Sequence, residues 1–368
     1  MQPSIAAVKV RAATTERRGS RRRRQAAKAG GQVNTQSDDR ALRPVRVAVV
    51  GTGHFGRFHA RHYAQNKNAE LVAVVDTDHE AADSVAAELG CAALYDHRAL
   101  IGRIDAASVV VPTYQHFAVA VELQEAGIDT LVEKPLSDTI ASAESLMRTA
   151  ERHDLILQVG HIERFSSCFK VLAEQVRRPL YFESNRISPW TERGLDADVV
   201  FDLMIHDIDI ILGLADSSVT DVSAVGTRLF SDKVDLANAR LTFESGCVAN
   251  ITASRVSHKI ERSLRVFQPG SYLVCDFVTH RVFTYALKGE SGALDASAVD
   301  STVLEVKRED SLGNEIDEFL SCVRHRRRPT VDGRVGVEAV KIAEQVNDSI
   351  RRHLDIAQQH GMSAATPI

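Results

Sequence analysis

The segment Val45 to Val50 reads VRVAVV, a short and nearly continuous apolar run. That pattern fits a parallel strand buried on both faces rather than an amphipathic one. A helical stretch follows from Arg57 to Gln65, then an apolar strand over Leu71–Val75, a helix over Glu80–Leu89 and a short strand over Ala92–Tyr95. The alternation continues with a buried-type strand at Ala107–Val111, a helix at Phe117–Ala126 and a strand at Thr130–Val132. Strands alternating with helices predict a doubly wound parallel sheet, an α/β fold whose ligands sit at the carboxyl ends of the strands.

Beyond residue 162 the pattern changes. Tyr181–Arg186, Val219–Val225, Ala237–Phe243, Val248–Ser254, Leu264–Phe267 and Tyr272–Asp276 read as strands, with hairpin turns at Gly246 and Pro269-Gly270. The polar stretch Lys288–Thr302 reads as a flexible loop, and a helix over 335–353 closes the fold. The expected organisation is a tail over 1–44, a dinucleotide-binding domain over 45–162, a second domain over 163–360 and a short tail over 361–368.

Composition changes this picture at one end only. The chain has 368 residues, of which 44% are hydrophobic and 26% charged, enough for two ordinary globular domains. No run approaches the roughly 18 apolar residues of a membrane span. Five scattered cysteines, without a CxxC pair, read as reduced thiols in a cytoplasm. The formal charge of −4 conceals 11 Lys/Arg against 3 Asp/Glu between Met1 and Val45, a net of +8 that leaves −12 for the remainder. A basic tail with Arg21-Arg22-Arg23-Arg24 and little apolar surface reads as a solvated extension, a start assigned too far upstream, or a targeting presequence. The acidic body and the lack of interleaved aromatics oppose a nucleic-acid binder.

The first strand runs directly into Gly51-Thr52-Gly53-His54-Phe55-Gly56, a GxGxxG opening a helix. Such a loop combines a tight turn, close approach of a pyrophosphate to the backbone, and close strand–helix packing. The helix start offers unpaired N–H groups to phosphate. Asp76 stands 20 residues beyond Gly56, at the end of the second strand, where a carboxylate accepts ribose hydroxyls and repels a 2′-phosphate. The following Thr77-Asp78-His79-Glu80 is acidic, which favours NAD over NADP as cofactor. Pro112, Thr113, His116, Glu133 and Lys134 also lie at strand carboxyl ends, beside the expected cofactor.

Two further segments carry candidate chemistry. Lys134, in Glu133-Lys134-Pro135, follows a core strand from which its amine reaches toward a substrate hydroxyl, against the plainer reading of a surface lysine. In Asp202-Leu-Met-Ile-His206-Asp207-Ile-Asp209, Asp202 and His206 are four apart and share one face if the segment is α-helical. Three acids and a histidine on an apolar helix are costly unless paired or functional, and His206 satisfied by Asp202 or Asp209 is the plainer reading. No HExxH accompanies them and hydride transfer to NAD needs no metal, so no metal site is expected.

GTGHFG at 51–56, VPTYQH at 111–116, EKP at 133–135, GHIERF at 160–165 and DLMIHD at 202–207 occur in the order typical of the Gfo/Idh/MocA oxidoreductases. The chain resembles that family from about Val45 to Glu344. The resemblance implies NAD-dependent oxidation of a sugar hydroxyl. It also implies a second domain with an open, mostly antiparallel sheet, one face covering the active site and the other building a homodimer or homotetramer. It gives His206 as general base, Lys134 as the group that holds the hydroxyl, and Asp202 as the residue that orients or charge-tunes His206, with either Lys134 or His206 as formal base.

The spelling of GHIERF and VVFDLMIHDIDIIL is similar to a subgroup acting on the 3-hydroxyl of UDP-N-acetylglucosamine. There the 3-keto product feeds an aminotransferase that makes the diamino sugar of certain lipid A molecules. Ala197–Phe201 replaces the glycines that usually precede DxxxH, which disfavours small polyols. A UDP-sugar requires cations for its diphosphate and a flat platform for uracil. Arg164, Arg186, Arg193 and Arg255 are the candidates, with Trp190 or Tyr114 as platform. The rival readings are an inositol or other sugar dehydrogenase on the same fold, and an NAD-binding regulator without chemistry, which would have no use for Lys134, Asp202 and His206.

Overall fold

The computed structural model describes residues 43–191, 197–287 and 299–361. The expectations for the basic tail as far as residue 42, for Arg193, for 288–298 and for 362–368 lie outside them.

The first sheet contains β1 (Val45–Val50), β2 (Ala69–Val75), β3 (Ala92–Leu94), β4 (Ala106–Val109), β5 (Asp129–Glu133) and β6 (Leu157–Gly160). All pair in parallel in the order β3-β2-β1-β4-β5-β6, the doubly wound order expected from the alternating pattern. Its helices are α1 (His54–Gln65), α2 (His79–Leu89), α3 (Thr113–Glu125) and α4 (Ile140–Arg152). Asp78 caps α2 by accepting from the Ala81 N–H at 3.1 Å, and Thr139 caps α4 by accepting from that of Ser142 at 3.2 Å. Val47, Val49, Val74, Val109 and Leu131 are completely buried, as both-face burial of the strands requires.

After α5 (Ser167–Gln175), the second domain forms an eight-stranded sheet. Its strands are β7 (Tyr181–Ile187), β8 (Val219–Thr227), β9 (Leu236–Phe243), β10 (Val248–Ser254), β11 (Glu261–Gln268), β12 (Ser271–Asp276), β13 (Arg281–Leu287) and β14 (Val299–Glu305). The order is β14-β13-β12-β11-β7-β10-β9-β8, antiparallel except between β7 and β10. Helix α6 (Ile205–Ala215) lies against its inner face, which contributes Phe182, Leu241, Ile251 and Val266 to the core.

The structure departs from the sequence reading in several places. Val299–Thr302, expected within the flexible loop, begins β14, an edge strand exposed at every residue; with both faces in solvent it carries no hydrophobic alternation to read. The chain also returns to the first domain. Helix α7 (Ser311–His325) buries Leu312, Ile316, Phe319 and Leu320 with Val45, Val47 and Val49, so a single cut at residue 162 does not separate the two cores. Helix α8 (Gly333–Gln359) then spans both, placing Val340 in the first core and Ile342, Val346 and Ile350 in the second. Arg43, counted with the tail in the sequence, is already anchored to Asp105 at 3.0 and 3.1 Å.

Candidate active site

A cleft of about 690 Å³ opens where the carboxyl ends of β4, β5 and β6 face the start of α6. Phe55, Pro112, Thr113, His116, Glu133, Lys134, Asp202 and His206 line it together. In a second hollow of about 490 Å³ beside the start of α8, Arg326, Arg328 and Arg334 pair with Asp129, Asp332 and Glu151.

The glycine loop meets the steric demands of a dinucleotide. Gly51 has φ +100°, and a Cβ there would stand 2.3 Å from the Val110 carbonyl oxygen. A Cβ on Gly56 would stand 1.9 Å from the Gly51 oxygen. A Cβ on Gly53 would meet nothing within 4 Å, which leaves open space over the loop for a pyrophosphate. Asp76 accepts from the Thr52 N–H at 2.7 Å, the Thr52 hydroxyl at 2.8 Å and the Asp78 N–H at 3.0 Å. Burial alone would raise its pKa, but those donors hold it below the usual carboxylate value. Asp76 therefore presents a fixed negative charge at the end of β2. Gly56→Ala must push α1 off the loop, a strain of about 1–3 kcal/mol, so calorimetric NAD titration is expected to show about a 10–100-fold weaker Kd.

Around the chemistry, the Lys134 ammonium donates to the backbone carbonyl of Asp202 at 2.8 Å and lies 3.6 Å from its carboxylate. The segment Val200–Met204 is a π-helical turn rather than the α-helix the four-residue spacing assumes, and it joins α6 just before His206. Such turns concentrate at functional sites because they re-aim side chains. In this one Asp202 faces Lys134. No hydrogen bond joins Asp202 to His206, which corrects the expectation that Asp202 orients the imidazole.

His206 lines the cleft, and its Nδ1 is sealed from solvent without a partner. Burial first, and then the charges of Lys134 and Arg186, hold its pKa well below the ordinary 6.5. His116 has both ring nitrogens at backbone carbonyls, Pro135 at 2.8 Å and Val111 at 2.9 Å, so it braces two strand ends. His54 is not among the residues lining the cleft and packs edge-on against Phe58.

The substrate candidates separate sharply. Arg164 forms a bidentate pair with Asp209 at 2.8 and 3.1 Å, and Arg255 pairs with Asp235 at 3.0 Å and donates to the Ala197 carbonyl at 2.8 Å; neither lines the cleft. Their guanidiniums are spent on internal carboxylates, which corrects the expectation that they anchor a diphosphate. Arg186 does line the cleft, but is buried between Asp207 at 2.7 Å and Glu163 at 3.1 Å. Trp190 packs edge-on against Phe230 outside the cleft, and Tyr114, outside it too, is 70% exposed.

Sequence reasoning missed a buried polar chain behind Glu133. His59 meets Glu133 at 3.1 Å and Ser108 at 3.2 Å, and Ser108 meets the Tyr63 hydroxyl at 2.8 Å. Gly160 makes room for it, because a Cβ there would lie 2.7 Å from the Glu133 carboxylate. Glu315, from α7, is fully buried with neither carboxyl oxygen partnered, and burial followed by the charge of Glu133 raises its pKa well above 4.5. His59, Glu133 and Glu315 are the one group among the described residues whose ligand atoms, all within 4.8 Å, could hold a metal. A protonated Glu315 beside an existing His59–Glu133 hydrogen bond does not favour a cation there. Glu315 stands too far along the chain from Glu133 for any spacing to have signalled it.

Residues 45–161 match the NAD-binding Rossmann domain of the GFO/IDH/MocA oxidoreductase family, and residues 171–268 match that family's C-terminal domain. UDP-N-acetylglucosamine 3-dehydrogenase of Acidithiobacillus ferrooxidans is 37% identical over 311 residues, covering 84% of this chain and 98% of that protein. A crystal structure of that enzyme superposes with a TM-score of 0.79 at 36% identity, again over 84% and 98% of the two chains. The NAD-dependent scyllo-inositol 2-dehydrogenase of Bacillus subtilis is 27% identical over 309 residues, 78% of this chain and 88% of that one. A glycine loop over open space, a fixed Asp76, a cleft holding Lys134 and His206, and both domain matches lead to one placement: the chain belongs to the Gfo/Idh/MocA family of oxidoreductases.

Proposed function

We propose that the chain oxidises the 3-hydroxyl of UDP-N-acetylglucosamine, with NAD as acceptor, to a 3-keto nucleotide sugar. The observation that carries this reading is the convergence of Lys134, Asp202 and His206 in one cleft between the domains, supported by 37% identity over nearly the whole of a relative of that activity. Bound NAD supplies the carbon that accepts the hydride. The residues of the chain handle the proton. His206, neutral at pH 7 because of its lowered pKa, takes the proton from the hydroxyl oxygen. Lys134, steadied by Asp202, donates a hydrogen bond to that oxygen and offsets the charge developing on it.

NADH formation should be followed with UDP-N-acetylglucosamine, a UDP-uronic acid, glucose and inositol side by side, with a ketone trap or a coupled aminotransferase to draw the equilibrium. A response confined to UDP-N-acetylglucosamine supports the proposal; turnover of inositol alone replaces it. NAD rather than NADP follows from Asp76. Asp76→Ala removes the charge that repels a 2′-phosphate and the acceptor that holds Thr52, so NAD is expected to bind about tenfold more weakly while NADP gains. An unchanged cofactor ratio would remove Asp76 from that role.

The product, a 3-keto sugar nucleotide, suits a following amination on the way to a lipopolysaccharide precursor. Five free cysteines suit a cytoplasmic setting, and no helix among the described residues is long and apolar enough to cross a membrane. We place a homodimer or homotetramer interface on the outer face of the eight-stranded sheet.

A further inference from the structure

We infer that Arg262 is the cation that takes the diphosphate of the substrate, an inference that rests on the nucleotide-sugar reading. A nucleoside diphosphate entering this cleft brings about two negative charges that need a guanidinium or ammonium not already neutralised. Arg164, Arg186 and Arg255 are each held by internal carboxylates, and Lys134 is held by Asp202. Arg262 lines the same cleft, is exposed, and has no carboxylate within ion-pair distance among the described residues.

Its position follows from the strand. On β11 the row Val266, Leu264, Arg262 faces inward: the first two are buried in the core and the third emerges at the cleft. Arg262 lies directly opposite Arg186 on β7, which puts two cations side by side on one face. Like charges so placed repel, and Asp207 and Glu163 neutralise only Arg186. An anion at Arg262 relieves this arrangement. The backbone carbonyl of Arg262 accepts from the Phe277 N–H at 2.9 Å, so the strand end carrying it is fixed against another cleft wall. The cofactor's own pyrophosphate belongs at the glycine loop of the other domain, which makes the two diphosphates separable by experiment.

Arg262→Gln and Arg262→Lys in the full chain should be titrated calorimetrically with UDP and, separately, with NAD, and assayed with the sugar nucleotide. In the Gln variant the Kd for UDP is expected to rise about 10–100-fold, with KM rising alongside, kcat changing little, NAD affinity unchanged, and partial recovery in the Lys variant. Equal UDP binding by wild type and Arg262→Gln overturns the assignment and leaves the nucleotide-sugar reading standing. A loss of NAD rather than UDP affinity also overturns it, assigning Arg262 to the cofactor. Wild-type protein that binds no UDP, with or without NAD, removes the nucleotide-sugar reading and the inference together.

Discussion

Replacing His206 by Asn is expected to lower kcat by about 10²–10⁴-fold while leaving NAD affinity essentially unchanged, because the proposed mechanism gives the ring the proton and the glycine loop the cofactor. The pH profile carries the same argument with a definite sign. His206 works as a base only when neutral, and burial together with the neighbouring cations Lys134, Arg186 and Arg262 lowers its pKa well below 6.5. The kcat/KM profile should therefore stay flat through neutrality and fall only at pH values below 6.5, as the imidazole becomes protonated. Lys134→Met removes one of those cations. Besides its own loss of turnover, it should move the acid limb upward toward 6.5. A wild-type limb at or above 6.5, or a His206→Asn variant that loses NAD binding and turnover equally, would remove His206 from the role of base.

What the sequence made legible is what backbone geometry forces. Gly51 and Gly56 are required because any side chain would strike a carbonyl, and such a requirement leaves a readable trace. The parallel strands were legible for a similar reason, since burial on both faces leaves uninterrupted apolar runs. The segment around His206 was legible as costly but not as geometry. Its acids belong to different partners: Asp202 faces Lys134, Asp207 holds Arg186 and Asp209 holds Arg164. A π-helical turn at Val200–Met204 decides which side chain faces which, and no spacing rule written for 3.6 residues per turn anticipates it.

Arginine gave the poorest signal. Arg164, Arg186, Arg255 and Arg262 are chemically identical in sequence, and only the carboxylate that folding places beside each separates an internal ion pair from a ligand-binding cation. Glu315 illustrates the same limit. It reaches the back of Glu133 only because α7 folds back onto the first sheet.

That division among the arginines has a large consequence for stability. Asp209 is almost completely buried, and its two carboxylate oxygens are served by Arg164 at 2.8 and 3.1 Å; the ring of His161, whose pKa burial lowers, stands 4.0 Å away without a hydrogen bond to it. Gly213 is part of the arrangement, since a Cβ there would lie 1.9 Å from the Arg164 guanidinium. Arg164→Ala leaves a buried carboxylate without its partner, at a cost of about 3–5 kcal/mol. A thermal melt should record this as a fall in Tm on the order of 10 °C. Replacing Asp209 by Asn in the same chain should recover part of the loss, because the stranded charge is gone, whereas a ligand-binding arginine would show no such rescue. Kinetics on the folded fraction supply the contrast. If Arg164 only braces α6 behind His206, KM for the sugar nucleotide in Arg164→Ala stays near the wild-type value. A KM raised as in Arg262→Gln, with an unchanged melt, would return Arg164 to the substrate.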